Sequence, residues 1–254
     1  MILLHRITPF VLLLVAGAGF GIAMAFPDRV LLPLGCSLAL AFLLLGRLAD
    51  WQLRRGTFWN LVLAPWVFLA SAEGIFLLLE YPLQRMVLAV MTALIFFFFA
   101  EQVFAYLHAS ATYQPYAIQY ISLGMNVLTI FFMTAFAFGA WTFLQAPLAL
   151  LAALVFAVAA YVVYQTLWVS KMEHRRALTY GLAGGCALTE LFLALVFLPT
   201  GFYVHAAGLA LVAYLFLGLT RAKFLGQLNR SLVSRYVTVS GILCAAVFAT
   251  AQWR

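Results

Sequence analysis

Charged residues are what this sequence has least of. Only 8% of its 254 residues are Asp, Glu, Lys or Arg, whereas 67% are apolar, and the mean hydropathy is +1.10. This composition excludes a soluble domain, because a water-facing surface needs far more charge. The apolar runs mostly have the length of about 20 residues that crosses roughly 30 Å of hydrocarbon as a helix, and no alternating pattern of lipid-facing strands occurs. The sequence therefore predicts an all-α fold, a polytopic integral membrane helical bundle.

The residue groupings that bind metals or cofactors are also scarce. With two aspartates in the chain, the clustered aspartates of metal-dependent phospholipid synthesis are excluded, and neither a phosphate-binding loop nor a dinucleotide fingerprint occurs. The cysteines lie singly in separate apolar runs, and no two histidines share a predicted span. These residues are Cys36, Cys186 and Cys244, and His5, His108, His174 and His205. We expect no metal, haem or other cofactor.

Polar breaks divide the chain into nine predicted spans, with eight as the alternative because the second and ninth are short. Prolines lie in or beside several breaks, as helix ends require. The spans are 8–26, 30–46, 58–79, 86–107, 120–143, 147–169, 179–198, 202–219 and 237–253, and the prolines are Pro27, Pro82, Pro115, Pro147 and Pro199. The loops are short, so we expect a single transmembrane domain over residues 1–254 with no domain outside the membrane.

The basic residues predict which way the bundle faces, because cytoplasmic loops retain Lys and Arg. A cytoplasmic N-terminus puts eleven of them inside and only Arg29, Arg85 and Arg254 outside. Trp59 and Trp168 then fall near the inner interface, and Trp141 and Trp253 near the outer one. The inner residues are Arg6, Arg47, Arg54, Arg55, Lys171, Arg175, Arg176, Arg221, Lys223, Arg230 and Arg235. The start of the chain also resembles a signal peptide ending at Ala25, whose cleavage would leave the orientation of the later spans unchanged.

The net charge of +7 does not indicate nucleic acid as a partner, because the basic residues are confined to short juxtamembrane loops. They predict contact with anionic lipid on the inner side of the bilayer. The longest inner connection, 221–236, places Phe224, Leu225, Leu228 and Leu232 along one helical face. That pattern predicts a helix lying in the interface, as a lipid-contacting connector or as a docking surface for a partner protein.

Three carboxylates fall within predicted spans: Glu73, Glu101 and Glu190. An acidic residue at depth costs about 2.5 to 3.5 kcal/mol, so each is a candidate for function. No Lys or Arg within the spans is available to pair with them, and desolvation favours the neutral, hydrogen-bonded carboxyl group. The alternative is that each bonds to a neighbouring hydroxyl, amide or carbonyl group and only locks the bundle.

Glu101 lies near the inner end of the fourth span, and His108 follows seven residues later on the same helical face. Their separation along the axis is about 10 Å, so we expect no direct contact. The polar and aromatic turn after His108 either anchors the chain at the interface or lines a cavity facing the cytoplasm. Its residues are Tyr113, Gln114, Pro115, Tyr116, Gln119 and Tyr120.

These features leave three functional hypotheses open. The first is a non-enzymatic scaffold or accessory subunit with a membrane protein partner, which short loops and few polar residues at depth favour. The second is a proton-coupled, lipid or small-molecule transporter that uses Glu73, Glu101 and Glu190. The third, least supported, is a lipid-modifying enzyme that uses Glu101 with His108 or Asp28 as acid and base. Short loops and basic inner flanks suit a bacterial cytoplasmic membrane.

Overall fold

The structure is a computed structural model that describes residues 2–109, 113–114 and 116–250; side chains are described from His5 onward, except those of Phe248 and Thr250. In these ranges the chain forms nine α-helices and one 3₁₀ turn, Pro27–Arg29. The helices are α1 Ile2–Ala25, α2 Leu31–Leu48, α3 Gly56–Phe76, α4 Pro82–His108, α5 Ala117–Leu144, α6 Leu148–Val169, α7 His174–Leu195, α8 Phe202–Phe224 and α9 Arg230–Thr250.

Eight of the helices, α1 to α8, are long and apolar enough to cross a membrane. The predicted membrane bundle is therefore confirmed as an architecture, and within the described residues α9 is not one of these eight helices. Its first half carries Arg230 and Arg235 with several hydroxyl side chains. Pro115, Trp253 and Arg254 lie outside the described residues, and the cytoplasmic N-terminus stays a prediction.

Helix ends follow local sequence. Pro82 is the first residue of α4 and Pro147 directly precedes α6, where the missing proline N–H costs no helix hydrogen bond. Turns between helices use left-handed backbone, at Asp50 and Trp51 after α2 and at Gly226 (φ 65°) after α8. The predicted interfacial helix over 221–236 is wrong, because α8 ends at Phe224, the chain turns at Gly226, and α9 begins at Arg230. A glycine in left-handed conformation breaks the helix that the apolar spacing alone suggested.

The helices divide into two compact units, Met1–Met125 and Asn126–Arg254, with the division inside α5. The single domain expected over 1–254 stays a prediction. In the first unit, α1 packs on α2 and α4, and α3 packs on α2 and α4. Phe20 of α1 meets Phe76 of α3 with ring centroids 5.2 Å apart. Gly19 lets α1 approach α2, because a Cβ there would lie 2.6 Å from Ser37 Cβ.

In the second unit, α6 and α7 pack most closely, with α8 against both. A Cβ on Gly185 would lie 2.7 Å from Ala160 Cβ, and one on Gly181 would lie 2.9 Å from Tyr164 Cβ. The Gly181 and Gly185 spacing therefore serves close helix packing inside the monomer. The matching spacing at Gly17 and Gly21 does not, since a Cβ at either position meets nothing within 4 Å.

The last helix, α9, packs on α8. Tyr236 of α9 lies against Tyr214 of α8, with ring centroids 5.1 Å apart. A Cβ on Gly218, one turn further along α8, would collide with the ring of Tyr236. Gly218, which has no side chain, therefore leaves the space on α8 that the Tyr236 ring fills.

Candidate functional site

Five ionisable side chains of the first unit gather at one end, which the basic residues predict to be cytoplasmic. The start of α1 supplies His5 and Arg6, the turn after α2 supplies Asp50, and the last turns of α4 supply Glu101 and His108. We call these five residues the inner-end cluster. Two of them, Glu101 and His108, are candidates from the sequence, whereas the other three come from segments distant in the chain.

Glu101 pairs with Arg6. Arg6 Nη1 lies 3.0 Å from Glu101 Oε2, and the guanidinium also lies over the Phe104 ring, 5.3 Å from its centroid. The second oxygen, Glu101 Oε1, is buried and has no hydrogen-bond partner in the described part of the chain. The expectation that no basic residue pairs with Glu101 is therefore wrong, because the start of α1 lies beside the inner end of α4.

An open cleft of approximately 510 Å³ borders this ion pair. Its walls combine one cation and one anion with neutral amide and apolar side chains. The lining residues are Arg6, Glu101, Gln102, Phe104, Ala105, Ala109 and Gln114. Of the turn residues expected to line a cytoplasmic cavity, Gln114 does so, while Tyr113 packs on Tyr106 with ring centroids 5.4 Å apart.

His5 and His108 stack with ring centroids 4.4 Å apart and planes inclined by 19°. His5 Nε2 lies 3.8 Å from Asp50 Oδ1. His108 Nε2 lies 2.9 Å from the Leu48 carbonyl oxygen, and because a carbonyl only accepts, His108 Nε2 carries the proton and donates it. These two histidines share no predicted span, yet they meet in the fold, where they come from different helices.

The turn that carries Asp50 is held in an uncommon backbone conformation. Asp50 and Trp51 have φ of 53° and 51°, a region that costs a bulky side chain such as Trp about 1 to 2 kcal/mol. The Trp51 ring lies on Gly46, where a Cβ would approach its carbons to 2.7 Å, and it packs near Phe42 and Phe58. This packing fixes the turn and so fixes Asp50 against α1.

Glu73 lies apart from this cluster, buried in α3. Ser37 of α2 hydrogen-bonds both a Glu73 oxygen and the Leu34 carbonyl oxygen. A serine hydroxyl has one proton, so both bonds form together only when Glu73 carries a proton and donates it to Ser37. The other oxygen, Glu73 Oε2, is buried without a partner in the described residues. A hydrogen-bonded, neutral carboxyl group is the form expected from the sequence.

Glu190 lies in α7 of the second unit with its side chain exposed, and among the described residues it makes no hydrogen bond or ion pair. It shares the exposed face of α7 with small residues at helical spacing. They are Ala183, Cys186, Ala187 and Ala194. The opposite face of α7 carries Gly181 and Gly185 and packs on α6.

The second unit also contains a buried polar network that the sequence reasoning missed. Asn126 Nδ2 donates to Gln165 Oε1 at 2.6 Å and to Thr166 Oγ1 at 2.7 Å, and Thr166 Oγ1 donates to the Val162 carbonyl oxygen at 2.9 Å. Asn126 and Gln165 are uncharged, so they do not stand out among the ionisable groups of the spans. Asn126 and Gln165, as amides inside apolar runs, were the available signal.

Comparison with known proteins identifies no relative. No protein-family model, curated protein or solved structure matches this chain. Its function is therefore argued from its own side chains and their surroundings.

The three carboxylates that the sequence singled out have three different environments. Glu73 is buried beside a serine, Glu101 pairs with Arg6 at a cleft, and Glu190 is exposed on one helix of the second unit. Within the first unit, Glu101 bonds to α1 while His108 bonds to the end of α2, so they do not act on a common atom. This geometry gives no support to an acid and base pair made of Glu101 and His108.

Proposed function

We propose that this multi-pass membrane protein is a non-enzymatic accessory subunit that binds a transmembrane helix of another membrane protein on the exposed face of α7. The observation that carries the proposal is the exposed, unpaired carboxyl group of Glu190 in an apolar helix. The protein belongs, in this proposal, to a bacterial cytoplasmic membrane, with anionic lipid at its basic inner loops.

The depth of Glu190 makes exposure to lipid costly. It lies five residues before the end of α7, which is about 7.5 Å along the axis and inside the span. An acidic side chain facing hydrocarbon costs about 2.5 to 3.5 kcal/mol near the centre of a span, and a hydrogen-bond donor offsets this cost. The partner helix therefore carries Lys, Arg, Asn or another strong donor opposite Glu190.

The surroundings of Glu190 suit close contact between helices. Ala183, Ala187 and Ala194 follow one another on its face of α7, and small residues let two backbones approach. The opposite face of α7 uses small residues in this way already, where Gly181 and Gly185 contact α6. We infer that α7 packs against three helices, α6 and α8 of its own chain and one helix of the partner.

The native cysteines allow a direct test. Cys186 is exposed one turn before Glu190, whereas Cys36 is exposed on α2 of the first unit. Two single-thiol variants are made, one retaining Cys186 and the other Cys36, with Cys244→Ser in both. Each is labelled in native membranes with a thiol-reactive photocrosslinker, and cross-linked proteins are identified by mass spectrometry.

The proposal expects one defined membrane protein to be captured from Cys186 and not from Cys36, with capture lost on Glu190→Leu. Glu80→Leu, at an exposed position outside the spans, is the matched control and should leave capture unchanged. Equal capture from both thiols, or capture unaffected by Glu190→Leu, would show that this face of α7 is not a specific binding surface.

A second candidate function is proton-coupled transport, which the environment of Glu73 favours. Its carboxyl group is buried, bonds to Ser37 and keeps one oxygen unpartnered. That arrangement would let Glu73 exchange a proton with a passing substrate or water. In proteoliposomes with an internal pH dye, Glu73→Gln should abolish any proton flux that Glu80→Gln retains; equal flux in both variants would exclude Glu73 as the proton carrier.

A further inference from the structure

The inner-end cluster contains three side chains that can bind metal and that converge from three separate elements. His5 comes from α1, Asp50 from the turn after α2, and His108 from the end of α4. One potential ligand atom from each lies within 4.8 Å of the others. We propose that His5, Asp50 and His108 bind a divalent transition-metal ion, zinc being the ion whose ligand preference they match.

The ligand set fits this ion. Two imidazoles and one carboxylate, with a water in the fourth position, form a common open zinc site. Ligand atoms at about 2.0 to 2.2 Å from a tetrahedral ion lie roughly 3.4 Å from one another. His5 Nε2 and Asp50 Oδ1 are already 3.8 Å apart, so side-chain rotation is enough to close the site.

His108 has the hydrogen bond that a metal-binding histidine needs. Its Nε2–H donates to the Leu48 carbonyl oxygen, which fixes the tautomer and leaves Nδ1 with a free lone pair. Histidines that bind metals commonly donate their other ring N–H to a backbone carbonyl or carboxylate in this way. The bond also orients the ring, because Leu48 ends α2 two residues before Asp50.

His5 is free to complete the site. In the stack, the two ring planes differ by only 19°, so the lone pairs of the two rings lie in separate, nearly parallel planes. One ring must therefore turn to share an ion with the other. His5 Nδ1 is buried without a hydrogen-bond partner in the described residues, so turning His5 breaks no hydrogen bond of that nitrogen. Asp50, held by the left-handed turn and the packing of Trp51, stays in place as the ring moves.

The full chain, purified in detergent without a polyhistidine tag and stripped with chelator, tests the proposal. Zinc content is measured by mass spectrometry at buffered free Zn²⁺ concentrations, and Co²⁺ absorption reports ligand geometry. The variants are His108→Ala and Asp50→Asn, with His174→Ala and Asp28→Asn as controls that remove an exposed residue of the same type elsewhere. Asparagine tolerates the left-handed conformation, so Asp50→Asn removes the charge and keeps the turn.

One ion per chain is expected. Binding should weaken at least about 100-fold in His108→Ala and Asp50→Asn and stay unchanged in both controls, since loss of only the group that hydrogen-bonds a metal ligand already costs 10- to 100-fold. Zinc should also raise the unfolding midpoint of the wild type and not that of Asp50→Asn. If His108→Ala fails to fold, Asp50→Asn decides the test. Absence of stoichiometric binding by the wild type, or equal binding by Asp50→Asn, would overturn the proposal.

Discussion

Gly185 lies where α7 packs on α6, and adding a methyl group at this position should destabilise the protein. A Cβ at this position would lie 2.7 Å from Ala160 Cβ, 3.0 Å from Ala160 Cα and 3.1 Å from Ala160 N. Two of these three atoms belong to the backbone of α6, so a rotamer change does not relieve the contact and one helix must move. Overpacking of this kind costs about 1 to 3 kcal/mol.

Gly208 supplies the matched control, because it also lies within a helix of the second unit and a Cβ there meets nothing within 4 Å. Replacing glycine by alanine inside a helix favours folding by about 0.5 to 1 kcal/mol, and this gain applies equally at both sites. Gly185→Ala should therefore be less stable than Gly208→Ala by about 1 to 3 kcal/mol. Unfolding by sodium dodecyl sulfate in mixed micelles, followed by circular dichroism, measures the difference. Equal midpoints for the two variants would refute the argument that α6 and α7 touch at this glycine.

Three further predictions use the same unfolding measurement. The effects of Arg6→Gln and Glu101→Gln on the free energy of unfolding should be coupled by about 0.5 to 1 kcal/mol. Because the pair is partly exposed, this coupling energy should fall as salt is added, and additive effects of the two substitutions would contradict the ion pair. Asn126→Leu should destabilise the protein by about 1 to 2 kcal/mol through the loss of two interhelical hydrogen bonds, whereas Thr142→Val, whose hydroxyl bonds within its own helix, should have little effect. Gly226→Ala should cost about 1 kcal/mol and Gly226→Asn less, since asparagine tolerates the left-handed backbone; equal losses would mean that φ is not the cause.

The architecture could be predicted from the sequence because the membrane imposes it locally. In lipid, the backbone groups of each apolar run must hydrogen-bond to one another, so a run long enough to span the bilayer forms a helix. This holds whichever helices pack beside it. Pro82 and Pro147, which were expected in or beside breaks, lie at helix starts, although α4 begins four residues before the predicted span. The helix predicted over 221–236 was wrong, because the apolar spacing continues through Gly226 although the backbone turns there.

The site was less predictable because its contacts join distant parts of the chain. Glu101 and His108 stood out as polar residues near the end of one span, but nothing local indicates that Arg6 and His5 lie beside them. Asp50 lies in the loop between the second and third predicted spans, and its left-handed conformation depends on Trp51 packing over Gly46. Which helix ends meet is set by tertiary packing, which a single sequence does not display.

The contact of the Tyr236 ring with Gly218 of α8 has a consequence for how the protein is made. α9 begins with Arg230 and carries Arg235 in its second turn, and charged residues oppose entry into lipid. Its contact with Gly218 and Tyr214 is available only once α8 has been synthesised and inserted. Packing of α9 is therefore a late step of biogenesis that depends on α8, and a bulky residue at Gly218 would prevent the newly made chain from completing it.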